Sequence, residues 1–574
     1  MRCPIWDDAT MFIRRKKNKT STAIQLVENH RVGHTTKQRV LRHVGSARSP
    51  SELDELIRLA EVLKAEMEAK ITAKQTKHLR PSFASAIGQL SPQTSQDKIA
   101  ISHLEETGRY VLGIHDIYGY IYSHLGFDNL FTRPTQRQAA AKILREIVMA
   151  RIARPQSKQA TVEWLQTHVG VSINLNHVYQ MMDKIDEGFC ERIQQQALNA
   201  ALNLTGKTLN VLFYDATTLY FESFNEDELK QNGYSKDMKF NQSQILLALF
   251  VTDKGLPIGY EVFPGSTFEG HTLVTTLTAL KKRYKLDDVI FVADRGLFSE
   301  DNLSLLESNG FKYIVGARLK NMNKKLQSCI LDENNYQSTG FVVHQRTDPN
   351  KQKEERQRIA SFPVKHRYLV VHYSSRRAKK DKYDRNEAIE KLTKKLQKSK
   401  NPKSLLSNYG YKKYIDVEGD VNITLNQEKL KSAESWDGLM GVMTNISDHN
   451  PENLFKHYRS LWQIEESFRI NKHDLRMRPI FHWKPHRVRA HIAIAFMAFV
   501  CVRYLETLMT IRQQKISPEQ IRKTLLQVQA SVIREKGSGK TFLLSSAIPA
   551  PAKTIYKAIG IKLPDCTKKI HCGA

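Results

Sequence analysis

The chain has 574 residues, 41% of them hydrophobic, so it can bury a substantial core and exceeds what one core usually fills. We therefore expect two to four domains, or one core that carries large insertions. Its 88 Lys and Arg exceed its 59 Asp and Glu, and the net charge is +29. A charge of this size favours a polyanionic partner, with nucleic acid ahead of a membrane surface.

Neither a membrane span nor a secretory signal is predicted. The longest apolar run, 492–502, is much shorter than the roughly 20 residues that a span needs, and it predicts a buried helix. The N-terminus lacks a basic region followed by an apolar one, so we expect the protein to stay in the cytoplasm. Its six cysteines form no CxxC pair, which suits a reducing compartment and argues against a structural zinc site.

Residues 1–50 predict a small basic β meander, because short β-prone runs alternate with basic turns. Its cationic face has two readings, a surface for DNA phosphates or a solvated edge sheet. A helix over 51–73 follows, with Ser51 as its N-cap and apolar residues at helical spacing. With a polar linker at 74–96 it makes up the segment 51–96.

Residues 97–205 predict a helical domain that binds DNA. The chain breaks at Pro155 between two helices, and Arg151, Arg154 and Lys158 cluster at the break. That arrangement fits a helix-turn-helix that reads DNA, and it fits equally an ordinary helical subdomain with a solvated basic corner. The predicted helices are 115–125, 136–153, 158–168 and 175–202.

Asp215 interrupts an apolar and β-branched run, 208–221, that predicts a buried central strand. Burying an unpaired carboxylate costs several kcal/mol, so Asp215 needs a cation, a metal or dense hydrogen bonding. The alternative is a turn-forming Asp at the end of a strand.

A second acid, Asp294, follows another apolar strand, 289–293. Between the two acids the sequence predicts a hairpin, 244–263, and a helix, 272–284. This order indicates an α/β sheet over 206–320 on which both carboxylates face one site. We expect an inserted β-rich domain over 321–440, with a strand at 368–373 and a highly charged helix at 377–400 whose cations line DNA or simply face solvent.

The last part of the core, 441–510, contains a long predicted helix that begins at Asn450 and Pro451. On a helical wheel, Glu465 and Lys472 project from the centre of an apolar stripe, whereas Glu466 lies off-centre. A helical tail over 511–574 completes the chain.

Three acids, Asp215, Asp294 and Glu465, thus stand where isolated acids are costly. Each has an alternative explanation as a separately paired acid, with Lys472 as the partner of Glu465. Three converging carboxylates suit hard divalent cations. Two such ions about 4 Å apart can activate an attacking oxygen and stabilise the leaving one in phosphoryl transfer. In a basic protein this site predicts chemistry on nucleic-acid phosphodiesters.

The spacing of Tyr458, Glu465 and Lys472 matches three of the four positions of a Tyr-x2-Arg-x3-Glu-x6-Lys signature. In these residues the chain resembles DDE transposases of bacterial insertion sequences, in the branch with that signature. Leu461 stands where the family often has Arg, and neighbouring Arg459 is a candidate replacement for that phosphate contact. Further family-like stretches are YDATTLYFES around Asp215, FPGSTFEGHTL at 263–273, VADRGLFSEDNL around Asp294 and WDGLMGVMTN before the Glu465 helix.

The resemblance implies an α/β RNase H-like (integrase-like) catalytic core with a β-rich insertion, beside the basic β meander and the helical N-terminal region. It implies that Asp215, Asp294 and Glu465 hold two Mg²⁺ (or Mn²⁺) ions. Water then hydrolyses the bond at the end of the element, and the freed 3′-OH attacks target DNA. Trp462 stacks on an unpaired base or belongs to the core. The residues expected to contact DNA are Tyr458, Arg459, Trp462, Lys472 and Arg295.

The expected partners are double-stranded DNA, as transposon ends and as target, and further copies of the chain in a homodimer or higher multimer. No membrane partner is expected, and the location is the bacterial cytoplasm, at the nucleoid. Two alternatives stay open: an RNase H-like nuclease that does not join strands, and a DNA-binding relative that has lost catalysis. The helical N-terminal region and the inserted domain favour the transposase, since a simple nuclease needs neither.

Overall fold

The computed structural model falls into two compact units. The helical unit comprises Met1–Leu209, Ala216–Ser266 and Glu465–Ala574, and the sheet unit comprises Asn210–Asp215 and Thr267–Ile464. The residues that the structure describes are 11–17, 21–32, 35–47, 52–53, 56–57, 60–61, 64, 100–132, 134–206, 209–221, 225–233, 242–267, 276–277, 289–344, 353–398, 415–418, 422–564 and 567–570.

In the helical unit the chain begins with an antiparallel sheet of strands β1 (Met11–Lys17), β2 (Thr22–Val32) and β3 (Thr35–Ala47). Ile24 and Leu26 of β2 are fully buried against Ala60 of the following helical segment. Leu53 and Leu56 pack against the same cluster, as their helical spacing predicted. The predicted linker 74–96 lies outside the described residues.

The next segment is mainly helical. Its elements are strand β4 (Leu104–Val111) and helices α1 (Gly113–His124), α2 (Pro134–Ala153), α3 (Lys158–His168), α4 (Leu175–Met182) and α5 (Glu187–Thr205). The prediction of one helix over 175–202 was wrong. Helix α4 ends at Met182, and Asp186 starts α5 as its N-cap, because its carboxylate accepts a hydrogen bond from the Phe189 amide at 2.7 Å.

The basic corner between α2 and α3 is mostly buried. Arg151 and Lys158 are only 5% and 4% exposed, and the Arg151 guanidinium donates to the backbone carbonyls of Leu475 and Arg476 at 3.4 and 3.2 Å. Side chains that are buried in this way cannot reach DNA phosphates. Arg151 and Lys158 therefore do not form the predicted DNA-reading corner of a helix-turn-helix. The alternative prediction of a solvated basic corner is correct only for Arg154, which is exposed.

A long apolar helix, α12 (Pro485–Ile511), forms the core of this unit and packs against α1, α2 and α5. It is long and apolar enough to cross a membrane, but 89% of its most apolar window is buried inside the fold. The run 492–502 is thus the buried helix that its composition predicted.

The tail of the chain is not all helical, contrary to prediction. After α13 (Pro518–Leu526) come β16 (Gln529–Glu535), β17 (Thr541–Ser545), α14 (Ala550–Ile559) and β18 (Thr567–Ile570). Strand β16 pairs with β4, more than 400 residues earlier, in a sheet of order β18-β17-β16-β4. β4 was missed because LEETGRYV has too few apolar residues to show an alternating pattern, and only its distant partner makes it a strand.

Strand β5 (Val211–Tyr220) crosses from one unit to the other after Asp215. Its second half belongs to the helical unit, together with the hairpin of β6 (Gln244–Thr252) and β7 (Pro257–Pro264). All of β6 is buried, as a continuous apolar run predicts.

In the sheet unit, the first half of β5 pairs in parallel with β8 (Ile290–Ala293), and β8 pairs in parallel with β9 (Lys312–Ala317). Four further strands extend the sheet: β10 (Gln337–His344), β11 (Lys353–Val364), β12 (Arg367–Ser374) and β15 (Leu439–Thr444). They pair antiparallel in the order β9-β15-β12-β11-β10. The expected insertion is therefore not a separate domain here. Its strand β12 pairs with β15, and β15 pairs with β9, so the insertion continues the same sheet.

The remaining elements of the sheet unit cover this sheet or connect its strands. They are α6 (Glu300–Ser308), α7 (Lys324–Leu331), α8 (Ser375–Lys398), β13 (Ile415–Glu418), β14 (Asn422–Leu425), α9 (Gln427–Glu434) and α10 (Pro451–Arg459). Part of the charge on α8 is satisfied within the helix, because Lys391 and Lys394 pair with Glu387 and Glu390 one turn earlier. Of the predicted helix 272–284, the structure describes only 276–277.

Candidate active site

Asp215 and Asp294 lie side by side in the sheet unit. Tyr214 of β5 is the direct partner of Ala293 of β8, so the acids are the next residues of two neighbouring parallel strands. Such strands lie about 4.8 Å apart. The predicted pair of aspartates is therefore brought together at the carboxyl edge of the parallel strands, where ligands of α/β sheets commonly bind.

Asp294 also shapes the loop that follows it. Its carboxylate caps a short 3₁₀ helix, Arg295–Leu297, and accepts a hydrogen bond from the Gly296 amide at 2.8 Å. Arg295 is exposed beside it. The predicted cation thus lies directly next to a predicted acid.

Tyr458, on α10, reaches the same edge of the sheet. A Cβ built on Gly316 of β9 would overlap the Tyr458 hydroxyl and would lie 3.0 Å from the Arg295 amide nitrogen. The hydroxyl therefore passes over Gly316 next to the loop that carries Arg295. Because glycine has no side chain, it allows this approach.

Arg459, a predicted DNA contact, has a partner within the sheet unit. Its guanidinium donates to the Nε2 atom of His372 on β12 at 2.9 Å. His372 is 4% exposed, and burial together with the Arg459 charge lowers its pKa to about 4. A neutral imidazole accepts such a bond, so Arg459 anchors α10 to the sheet, although the residue remains exposed overall.

The predicted long helix around Glu465 is interrupted. Helix α10 ends at Arg459, α11 (Trp462–Arg469) begins three residues later, and a single π-helical turn, Ile470–Asp474, follows. The wheel that placed Glu465 on a buried face assumed one continuous helix, and that placement was wrong. Glu465 is exposed, and no ion pair of this residue occurs within the described part of the chain. Trp462 is 55% exposed, so it is not a core residue.

Lys472 and Glu466 both have partners within the helical unit. The Lys472 ammonium donates to the Thr217 hydroxyl at 2.5 Å, on the second half of β5. Glu466 pairs with Arg469 at 2.6 Å, and the hydrogen bonds from that guanidinium lower the pKa of the Glu466 carboxyl. Glu466 is thus a structural acid, whereas Glu465 presents its carboxylate to solvent.

Carboxylate oxygens are the donors that Mg²⁺ and Mn²⁺ prefer. Asp215 and Asp294 supply such oxygens on neighbouring strands, so their donor chemistry and placement fit a divalent cation. Among the described residues, three or more His, Cys, Asp or Glu side chains do not come together as a ready metal cluster. The sheet unit thus places two of the three predicted metal ligands on neighbouring strands.

Residues 206–501, just over half of the chain, match the family of the transposase DDE domain. The chain belongs to the DDE transposases. Residues 12–76 match the N-terminal domain of IS1634 family transposases, which makes it a transposase of a bacterial insertion sequence. No curated protein matches the sequence.

Solved transposase structures share a slight likeness with this DDE transposase. A piggyBac transposase synaptic complex with hairpin DNA is 8% identical, with a TM-score of 0.37 over 72% of this chain and 76% of that one. A Mos1 paired-end complex with the left transposon end is 15% identical, with a TM-score of 0.14 over 32% and 60%. A Mos1 mariner paired-end complex with Mn is 13% identical, with a TM-score of 0.13 over 45% and 77%. Membership of the family rests on the sequence match alone.

Three partners of the predicted DNA-contacting residues escaped the sequence reasoning. Gly316, His372 and Thr217 contact Tyr458, Arg459 and Lys472 respectively. Gly316 ends the run YIVG, where a glycine inside a strand signals close approach of another group. His372 and Thr217 carried no comparable signal, since each acts through a partner that is distant in the sequence.

Proposed function

We propose that this transposase binds the terminal inverted repeats of its insertion sequence and catalyses metal-dependent DNA cleavage and strand transfer. The observation that carries the proposal is the pairing of Asp215 with Asp294 on neighbouring parallel strands of a DDE transposase. Two acids in this arrangement repel each other unless a cation lies between them. The protein acts in the bacterial cytoplasm, at the nucleoid.

The proposed metal ligands are Asp215, Asp294 and Glu465, which hold two Mg²⁺ or Mn²⁺ ions. When bound, these ions supply Lewis-acid stabilisation of the attacking and leaving oxygens of the phosphodiester. The sequence signature supports Glu465 as the third ligand, and so does its exposed carboxylate. In the first reaction water breaks the bond at the element's end and leaves a 3′-OH; in the second that hydroxyl attacks a target phosphodiester.

The predicted DNA-contacting residues position the DNA in this proposal. Exposed Arg295, next to Asp294, offers a guanidinium to a phosphate, and the Tyr458 hydroxyl lies beside its loop. Lys472 contributes an ammonium that the Thr217 hydroxyl orients.

Arg459 is held by His372, and it fixes α10 and thereby Tyr458. Exposed Trp462 offers an indole ring to DNA. Two ends are brought together by a homodimer or higher multimer.

The test incubates the full-length protein with a labelled duplex that ends in the flanking terminal repeat, with and without Mg²⁺. We expect end-specific cleavage that requires the metal and then joining to a target plasmid. Asp215→Asn should abolish both reactions and keep binding. Cleavage without joining would favour the nuclease alternative, and binding with no cleavage by the unaltered protein would favour the inactive relative.

Glu465 and Glu466 provide a matched pair for the third ligand. Glu465→Gln should reduce cleavage by at least about a hundredfold, because a ligand of the reacting metals is lost, while end binding stays within about twofold. Glu466→Gln removes only the pair with exposed Arg469 and should be nearly silent. Full activity of the Glu465 variant, with activity lost in the Glu466 variant, would reverse the assignment.

A further inference from the structure

A loop between the π-helical turn and α12 exposes two large aromatic side chains. In this aromatic loop, Arg476–Lys484, Phe481 is 61% exposed and Trp483 is 68% exposed. Met477 and Ile480 of the same loop are 1% and 5% exposed and hold it to the core. Keeping two neighbouring aromatic rings in water costs hydrophobic free energy, and such exposed patches commonly mark a binding surface.

The aromatic loop is held in place by contacts on its buried side. His491 of α12 hydrogen-bonds through Nε2 to the Met477 carbonyl at 3.0 Å, and Arg151 of α2 donates to the Arg476 carbonyl. The ring of His482, between the two exposed aromatics, lies 5.3 Å from the His491 ring. Because the loop is anchored both at its start and at His482, Phe481 and Trp483 are displayed on a preorganised support.

The sequence that contains the aromatic loop is basic. From Leu475 to Leu505 the sequence contains no acidic residue. The Arg478 guanidinium lies 4.8 Å from the centre of the Tyr220 ring. The Lys230 ammonium, which is buried and paired with Asp227 at 3.1 Å, lies 5.7 Å from the centre of the Trp483 ring and supports it from the protein side. Interleaved cations and aromatic rings are the composition of surfaces that bind single-stranded nucleic acid.

We propose that Phe481 and Trp483 form a stacking platform for unpaired bases of DNA. The platform rests on the proposed function, since it takes the DNA of that reaction as its ligand. A base within a duplex has both faces covered by its neighbours, so an aromatic side chain gains a stacking contact only with a base that has left its pair. Arg476 and Lys484, at the two ends of the loop, are exposed to contact the adjoining phosphates.

The test compares two labelled DNAs of equal length and sequence at the element's end, one fully paired and one with mismatches that leave the last bases unpaired. Binding is measured with full-length protein and EDTA, so that no cleavage occurs. We expect tighter binding of the unpaired end. Trp483→Ala and Phe481→Ala should each weaken that binding by about tenfold and leave duplex affinity unchanged.

Two further variants separate stacking from general surface effects. Trp483→Phe keeps an aromatic ring and should retain most of the preference, whereas Trp483→Leu, apolar but unable to stack, should lose it. Tyr383→Ala removes a ring that is 67% exposed on α8 and should change neither affinity. A 2-aminopurine at the unpaired position should lose fluorescence on binding to the unaltered protein and not to Trp483→Ala.

The outcomes distinguish this inference from the proposed function. If no DNA is bound, the proposed function fails. If both DNAs bind equally and the variants leave both affinities unchanged, the platform is overturned while the proposed function stands. Variants that weaken the binding of both DNAs equally would also overturn stacking. So would variants that change the mass of the protein in light scattering, because the loop would then be a contact between copies of the chain.

Discussion

Gly316 shows at the scale of one residue how the sheet accommodates its candidate site. The Tyr458 hydroxyl occupies the space where any other residue would place a Cβ atom, close to the backbone of Arg295. The backbone of Gly316 does not have the positive φ that favours glycine, so the reason for glycine is space. Tyr458 can reach the loop after Asp294 only across a residue without a side chain.

Gly316→Ala should therefore lower the stability of the protein by about 1–3 kcal/mol, because the added methyl overlaps the tyrosine and leaves the backbone little room to move. Thermal denaturation measures the loss. Gly537→Ala is the matched control, since nothing lies within 4 Å of a Cβ built there. Adding Tyr458→Phe to Gly316→Ala should restore part of the stability. A Gly316 variant as stable as the control would contradict this packing.

At the scale of elements, helix α10 is docked on β12 through His372. The imidazole packs against Phe455 with ring centres 5.1 Å apart and accepts from Arg459. The hydrogen bond from Arg459 requires the neutral form of the imidazole, because a protonated ring nitrogen cannot accept. His372 thus fixes the helix that carries Tyr458, a candidate DNA-contacting residue, from a strand that β15 separates from β9.

This docking should make stability depend on pH. Burial first and the Arg459 charge second lower the pKa of His372 from 6.5 to about 4. As pH falls from about 6.5 to about 4, the unfolded chain binds a proton that the folded one does not, so stability is present above 6.5 and is lost on acidification. The loss amounts to about 3 kcal/mol by pH 4.

Urea denaturation between pH 7 and pH 4 measures this dependence. His372→Gln should flatten it, although His482 and His491, whose pKa values burial also lowers, keep part of the slope in the same direction. Exposed His177→Gln should leave the slope unchanged. An unchanged slope in the His372 variant would show that α10 does not rely on the neutral imidazole.

At the scale of the whole molecule, the net charge of +29 should make DNA binding strongly dependent on salt. Each phosphate that a Lys or Arg neutralises releases a counterion, so with 6–10 such contacts the affinity should fall by about 10³–10⁵ between 50 and 200 mM salt. Titration of a labelled duplex at several salt concentrations measures the slope. A salt-independent affinity would mean that the excess cations do not face DNA.

Local patterns predicted much of this protein because each reflects the residues of one segment. Asp215 inside an apolar run, the hairpin of β6 and β7, the strand before Asp294 and the buried run 492–502 all follow from period and composition. The resemblance to DDE transposases also came from the sequence, and the match over 206–501 confirms it. These features need no knowledge of distant partners.

Only the tertiary structure decided which of the charged side chains are buried and which strands pair across long distances in the sequence. Arg151 and Lys158 look like a DNA-reading corner in the sequence, yet packing buries them. Strand β4 exists because β16 pairs with it, and Glu465 is exposed because the helix breaks after Arg459. The physical reason is the same in each case: pairing and burial depend on segments far apart in the chain, and local periodicity carries no information about them.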